Sequence, residues 1–223
     1  MGIPNATHQV ASDAIAALGG YISLHLSPAG TTGANEATGG GYSRQLSSPW
    51  SPDGVGDNSG PQVNIPCAAG TYVEGGIFST QTGSTISVPS GLNAVGSDTG
   101  GTFAAGTYYW KITAKNFAGE TTPSLEASAT LTGSASSCDL TWSAVSGADE
   151  YCVYRGTTSG SENTLVATVT TNSYNDTGSA GTAATLPISN TASSFIGSTA
   201  FNGGSVTVSG TGGSINVTPT ITA

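Results

Sequence analysis

The strongest constraint on the fold is an alternation of residue types in residues 103–119, FAAGTYYWKITAKNFAG. Even-numbered positions from 108 to 114 hold Tyr, Trp, Ile and Ala, whereas odd-numbered positions from 109 to 115 hold Tyr, Lys, Thr and Lys. A period of two residues is typical of a β-strand with one buried face. Residues 138–156, CDLTWSAVSGADEYCVYRG, predict two more strands, with Leu140 and Trp142 inward on one and Tyr151 and Val153 inward on the other. Together these segments predict a compact β-sandwich.

Composition divides the chain into two kinds of sequence. Nine of its sixteen aromatic residues fall between residues 90 and 187, whereas residues 1–89 and 188–223 are glycine-rich with short alternating segments. Charged residues make up only 8% of the chain, against about a quarter in ordinary soluble domains. We therefore predict an all-β protein, in which a glycine-rich β-sandwich host domain (1–89 and 188–223) carries an inserted β-sandwich domain (90–187).

The N-terminal sequence MGIPNATHQVASDAIAALGG predicts a short amphipathic helix. Asn5 or Thr7 can cap its start and Gly19 can end it. Its predicted packing face holds Val10, Ala14, Ala17 and Leu18. The segment lacks the basic start and continuous apolar run of a secretory signal, so we expect synthesis and assembly in a reducing cytoplasm. The odd number of cysteines agrees with free thiols at Cys67, Cys138 and Cys152.

Residues 27–62 form a long stretch without a strand pattern, rich in glycine and interrupted by Pro28, Pro49, Pro52 and Pro61. The stretch holds too few apolar residues to pack alone. We expect an ordered surface loop that is stabilised by a neighbouring subunit.

The charge balance excludes two classes of partner. The formal net charge is −9, with only four Lys and Arg residues, and these are not clustered. A nucleic-acid-binding protein needs clustered basic residues to displace counterions from phosphates, so this class is set aside. The same deficit argues against docking on an anionic membrane, and no run of about 18 apolar residues could span a bilayer.

The sequence offers little material for catalysis or metal binding. His8 and His25 are the only histidines, and no GxSxG or GxxxxGK[ST] motif occurs. Asp53 and Asp57 could supply calcium ligands, but their spacing favours a role in forming a turn. No local motif recommends a pair of carboxylates for glycoside hydrolysis. We expect no enzymatic activity, no cofactor and no metal.

Three aromatic residues could lie at the surface. Tyr109 and Tyr154 have outward parity on their strands, and Trp50 lies in the proline-rich loop. Each could stack on a sugar ring, or could instead pack across strands or contact a subunit. Packing is the favoured interpretation.

The segments GTYYWKITAKNFAGETTPS and LTWSAVSGADEYCVYRGTTSG, with SYNDTG at 173–178, resemble a fibronectin type III module of the immunoglobulin-like class. The resemblance covers roughly residues 90–185 and implies an inserted fibronectin III-like β-sandwich. The order of the segments is reversed relative to a standard module, because here the YYWKITAKN strand comes first. A permuted arrangement of this kind is found in phage structural proteins.

The segment GYISLHLSPAGTTGANEATGGGYSRQ at 20–45 resembles small virion proteins of tailed bacteriophages, especially those infecting actinobacteria. Relatives of this type imply that residues 76–83 and 194–204 are two arms of one hairpin, and that residues 217–223 form a closing strand. They are described as minor tail, fibre or capsid-surface proteins. The resemblance implies contact with a major capsid protein or tail proteins, for which Tyr42, Arg44 and Trp50 are the candidate residues.

Three functions from different classes remain. The first is a capsid decoration or cement protein on the virion surface, which binds the assembled shell as a homo-oligomer, in trimers if it follows the usual arrangement, and projects the insert outward. The second is a minor tail or fibre protein that touches the host surface or its glycans through Tyr109 and Tyr154. The third, an enzyme acting on cell-wall glycans, lacks the residues it would need.

Overall fold

The computed structural model describes residues 4–222. The chain is mostly β-structure, 43% strand and 6% helix, so the predicted all-β class is confirmed. The chain folds into two compact units: the first holds the described residues up to Ser84 and those from Ser194 onward, and the second holds Thr85–Ser193. The boundaries therefore lie a few residues outside the predicted insert, because Thr85 bridges to Ser193 and Ile86 joins the core of the second unit.

The described part of the first unit begins with a helix, α1 (Asn5–Leu18). Seven strands then precede the second unit: β1 (Tyr21–His25), β2 (Gln45–Leu46), β3 (Ser51–Pro52), β4 (Asp57–Ser59), β5 (Val63–Cys67), β6 (Gly70–Tyr72) and β7 (Glu74–Phe78). The second unit contributes β8 (Asn93–Ser97), β9 (Gly106–Asn116), β10 (Gly119–Glu120), β11 (Ala127–Leu131), β12 (Ser137–Thr141), β13 (Glu150–Gly156), β14 (Thr164–Val169), β15 (Ser173–Asp176) and β16 (Thr182–Ala183). Four strands of the first unit follow: β17 (Phe195–Ala200), β18 (Val206–Val208), β19 (Gly213–Val217) and β20 (Thr220–Thr222).

The first unit is built from small antiparallel sheets around two clusters of buried residues. Strands β17, β7, β1 and β2 form a four-stranded sheet in that order. The remaining strands pair as β18 with β6, β19 with β5, and β20 with β4 and β3. Strand β5 keeps the predicted alternation, because Val63, Ile65 and Cys67 are buried and Asn64 is exposed. The pairing of β7 with β17 matches the hairpin arms that the virion resemblance implies, whereas the closing strand β20 pairs with β4.

Residues 27–62 are ordered, as expected, and they are tied to other parts of the first unit, whereas their stabilisation by a neighbouring subunit stays a prediction. Strands β2, β3 and β4 lie within this stretch and pair with other strands of the same unit. Side chains add further ties: the Trp50 indole Nε1 donates to the Gly19 carbonyl, and Ser47 Oγ donates to the Pro61 carbonyl. Polar bonds within the chain therefore replace the apolar contacts that the stretch lacks.

Helix α1 packs through a face that the sequence did not predict. The helix ends before Gly19 as predicted, but Pro4 occupies the N-cap position and no side chain caps it. The buried residue is Ser12, whose Oγ donates to the Gln9 carbonyl and accepts from Asn58 Nδ2 at 3.0 Å. Three residues of the predicted packing face, Val10, Ala14 and Ala17, are exposed, and only Leu18 is half-buried. Hydrogen bonding at Ser12 thus decides which side of the helix is buried.

The second unit is a sandwich of two antiparallel sheets. One sheet has the order β10, β9, β13, β14, β16, with β11 also pairing with β9, and the other has the order β15, β12, β8. Their facing surfaces share one core, whose buried members include Trp110, Ile112, Leu140, Trp142 and Val153. The predicted inward faces are therefore confirmed. The fibronectin type III resemblance stays a prediction.

The other face of β13 is also covered, which corrects a parity prediction. Tyr154 was assigned to the outward face, yet it is buried, as is Cys152 on the same face. The Tyr154 hydroxyl donates to Glu120 Oε1 at 2.8 Å. Strand β13 lies between β9 and β14 in the middle of its sheet, where a strand can be covered on both sides. Cys67, Cys138 and Cys152 are all buried free thiols.

A matched pair of glycines tests the packing of the first unit. Gly30 and Gly40 have nearly equal backbone angles, φ +62° and +61°. A Cβ at Gly40 would lie 2.3 Å from the Ala68 backbone nitrogen, whereas a Cβ at Gly30 would meet nothing within 4 Å. Both alanine variants carry the left-handed strain of about 1 kcal/mol. We expect Gly40→Ala to lose about 2 kcal/mol more than Gly30→Ala, because backbone atoms must move. Urea denaturation measures both, and equal losses would contradict this packing.

Candidate interaction surface

Arg44, predicted as a contact for another protein, is instead buried inside the first unit with 5% of its side chain exposed. Its Nε and Nη2 donate to the two carboxylate oxygens of Glu36 at 2.7 and 2.6 Å. Its Nη1 donates to the carbonyls of Thr80 and Gly83 at 3.0 and 2.8 Å. The guanidinium carbon lies 3.3 Å from the centre of the Phe78 ring. The planar guanidinium thus clamps the loop to the end of β7, a role that lysine could not fill.

Tyr42 belongs to the same cluster. Its hydroxyl donates to Glu36 Oε1 at 2.6 Å and accepts from the Leu24 N–H at 3.3 Å. Burial raises the pKa of Tyr42 well above its ordinary value, and the hydrogen bond to the Glu36 carboxylate raises it further. The phenol therefore stays neutral and acts as a donor. Tyr42 is therefore held by the Arg44 and Glu36 cluster, and its side chain is only partly exposed.

Trp50 is half-buried rather than free. Its indole nitrogen is satisfied by the Gly19 carbonyl at 3.2 Å. A Cβ added at Gly60 would lie 3.0 Å from the Trp50 ring, so the ring packs directly on that glycine. Of the predicted contact residues, Tyr42 and Trp50 pack against one core cluster of the unit, whereas Arg44 is buried over Phe78 of another.

The aromatic residues of the second unit do not form a paired sugar platform. Tyr109 is half-buried, while Tyr154 is only 4% exposed. Burial raises the pKa of Tyr154, as does its hydrogen bond to Glu120. Tyr154 is thus a structural residue, and its assignment as a surface ligand is wrong. Tyr109 is the one member of that pair with accessible surface.

A different pocket of about 290 Å³ lies in the second unit. Its walls include Phe103, Tyr108, Arg155, Asn163 and Thr157. Arg155 lies 4.8 Å over the Phe103 ring and its Nη1 contacts both carboxylate oxygens of Asp176 at 2.8 and 3.0 Å. The sequence did not single out this pocket, because its residues come from five separate segments of the chain.

Ser23 and His25 form a hydrogen-bonded pair that resembles part of a hydrolase site. Ser23 Oγ lies 2.8 Å from His25 Nε2, and His25 Nδ1 lies 2.8 Å from the Ala34 carbonyl. A carbonyl only accepts, so Nδ1 carries a proton and donates it to Ala34. Both residues have no exposed surface, and the histidine stacks on Phe78 at a ring distance of 6.3 Å. No substrate can reach this pair, which packs the core.

Asp53 forms a turn, as the sequence favoured. Its Oδ1 accepts from the backbone N–H groups of Val55, Gly56 and Asp57 at 2.8 to 3.1 Å. These bonds lower the pKa of Asp53. Among residues 4–222, no three His, Cys, Asp or Glu side chains cluster as a metal site would require. Over the same range, no helix has the length and apolar character needed to cross a membrane.

Every Lys and Arg side chain of the chain forms an ion pair within its own unit. The pairs are Arg44 with Glu36, Lys111 with Glu162, Lys115 with Glu150 and Arg155 with Asp176. The other nine acidic residues have no such partner among the Lys and Arg side chains (13 − 4 = 9). The surface that the chain presents is therefore polar and acidic.

The sequence matches no protein-family model, and none of the curated proteins matches it significantly.

The clamp predicts a large effect for Arg44→Met. The variant leaves the Glu36 carboxylate and two carbonyls without their donor, so we expect a loss of about 3 to 5 kcal/mol in the free energy of unfolding of the first unit. Trp50 is the only tryptophan of this unit, and its fluorescence can follow the transition. The double variant Glu36→Gln, Arg44→Met is the control and should recover part of the loss. A change below about 1 kcal/mol would show that the clamp is not needed.

The same carboxylate predicts a pH dependence. Burial raises the pKa of Glu36, but hydrogen bonds from Arg44 and Tyr42 outweigh burial and the net pKa lies below the ordinary 4.5. The stabilisation is present above the unfolded pKa and is lost as pH falls through the folded pKa. We expect the stability gap between wild type and Glu36→Gln to shrink between about pH 6 and pH 3. A constant gap in urea denaturation across that range would refute the assignment.

Proposed function

We propose that this chain is a non-enzymatic structural protein of a tailed-phage virion. It decorates the capsid, binds the assembled shell through its first unit and displays the second unit at the virion surface. The virion assignment rests on the resemblance of residues 20–45 to small virion proteins. The major capsid protein is the proposed partner, and a protein that binds only the assembled shell stabilises it by the free energy of binding.

One observation carries the division into an attaching unit and a displayed unit. The second unit begins and ends at a single point of the first, because the Ser194 N–H donates to the Ser84 carbonyl at 2.9 Å. Within the second unit, the Ile86 N–H likewise donates to the Ala192 carbonyl at 2.9 Å. Each unit also has its own core. An insert joined this way can be carried or lost without rearranging the unit that holds it.

The functional side-chain chemistry agrees with a structural role. The Ser23 and His25 pair is sealed in the core, and the four basic side chains are occupied in ion pairs. A protein of this kind acts through the area that it covers.

Excision of the second unit tests the proposal. Residues 85–193 are replaced by Asn-Gly, a two-residue turn suited to joining antiparallel ends. We expect the shortened protein to fold and to bind purified heads as wild type does. Quantitative mass spectrometry of separated heads and tails supplies the location, with copies in fixed proportion to the major capsid protein expected on heads. Binding that disappears with the second unit, or copies confined to tails, would contradict decoration.

A minor tail or fibre protein that binds host glycans is the alternative, and the pocket of the second unit favours it. Phe103 and Tyr108 supply aromatic rings there, and Asn163 and Thr157 supply polar groups, which is the mixture that sugar recognition uses. Glycan-array binding that is lost in Asn163→Ala, together with copies on tails, would select this function over decoration.

A further inference from the structure

The outward side of α1 is an apolar strip. Ala6, Val10, Ala14 and Ala17 are all exposed, and Val10 shows 68% of its surface. At 100° per residue these four positions fall within an arc of about 80°. The strip lies opposite Ser12, the residue through which the helix packs. It is therefore a helix face without a partner in the described structure.

The turn at residues 53–57 is joined to the same helix. Gln9 joins the two: its Nε2 donates to Asp13 Oδ1 at 2.7 Å, and its Oε1 accepts from the Gly54 N–H at 2.8 Å. Asn58 Nδ2 donates to Asp13 Oδ1 at 2.7 Å from the strand that follows the turn. Val55, at the tip of the turn, is 58% exposed. The turn is thus tied to the helix through Gln9, and its tip exposes a second valine.

The rim of this surface is acidic. Asp13 and Asp53 are exposed, and Asp57 is half-buried. Hydrogen bonds from Asn58 and Gln9 lower the pKa of Asp13, and backbone N–H groups lower that of Asp53, so both carboxylates are ionised at neutral pH. The only Lys or Arg of the first unit, Arg44, is buried on Glu36. We name Val10, Val55, Asp13, Asp53 and Asp57 the α1 surface.

The charge of the α1 surface selects its occupant. A second copy of this chain would bring carboxylates against carboxylates, because all four of its Lys and Arg side chains are engaged in their own ion pairs. Nucleic acid and anionic lipid carry the same sign of charge and are repelled. A protein surface with an apolar depression flanked by Lys or Arg is complementary in both respects.

We propose that the α1 surface docks on a cationic protein surface, with Val10 and Val55 covering an apolar patch and Asp13, Asp53 and Asp57 paired with basic side chains at its rim. The identification of that surface as the exposed face of the major capsid protein rests on the proposed function. Rim charges of this kind speed association and fix orientation, and their effect is screened by salt.

The charge test uses substitutions that keep shape. Asp13→Asn, Asp53→Asn and Asp57→Asn combined retain the Oδ1 acceptors on which the helix and turn depend. The control combines Asp98→Asn, Asp139→Asn and Asp149→Asn, which change the net charge equally at exposed positions of the second unit. The probe is purified heads from virions that lack this protein. We expect the first variant to bind about tenfold more weakly at low salt, with a flatter salt dependence, and the control to bind as wild type.

The apolar test pairs two exposed valines. Val10→Ser removes the centre of the strip, and Val95→Ser makes the same change at a 55% exposed site of the second unit. We expect binding to heads to weaken about tenfold for Val10→Ser and to stay unchanged for Val95→Ser. Circular dichroism and urea denaturation check that both variants keep their fold.

The outcomes separate the two proposals. If wild type binds heads and both sets of first-unit variants bind equally well, the proposal for the α1 surface is overturned and decoration still stands. Failure of wild type to bind heads at all overturns decoration and the capsid partner together. Self-association of wild type in sedimentation, abolished by Val10→Ser, would make this face an interface between copies and would also overturn the proposal.

Discussion

The first unit depends on one basic side chain placed where its segments meet. Arg44 holds Glu36 of the long loop, the Phe78 ring of β7, and the carbonyls of Thr80 and Gly83 that lead toward the second unit. Few apolar residues are available here, so charge-assisted hydrogen bonds define the conformation. A buried ion pair contributes specificity at least as much as stability. The surrounding glycine-rich sequence needs few large apolar residues, because this cluster fixes the path of the backbone.

Sequence patterns predicted strands that have water on one side and failed where both sides are covered. Strand β5 alternates because Asn64 faces solvent between Val63 and Ile65. Tyr154 was misplaced because β13 lies inside its sheet, where Glu120 covers the second face. The face of α1 was inverted because its packing rests on the Ser12 hydroxyl, and a hydroxyl partner 46 residues away leaves no mark in a hydrophobic pattern.

The candidate site was harder to predict than the fold, since residues that look suited to binding a partner also have structural roles. Arg44 looks like a contact residue from its rarity, yet the side chain is buried and four of its five N–H groups are used within the unit. The α1 surface was missed because its residues look structural in the sequence. Val10 belongs to an apparent packing face, and Asp53 is a turn-former in the sequence. Only the hydrogen bonds of Gln9 show that the turn is tied to the helix.

The central claim is that an acidic surface of the first unit attaches this chain to a phage shell. Zero-length carboxyl-to-amine crosslinking of intact virions, read by mass spectrometry, tests it directly. The first unit has no lysine, so crosslinks from its carboxylates run either to Lys111 or Lys115 of this chain or to amines of a neighbour, and the masses of the crosslinked peptides distinguish the two. The account predicts links from Asp13, Asp53 or Asp57 to lysines of the major capsid protein. Links to tail proteins alone, or links only from carboxylates of the second unit, would contradict it.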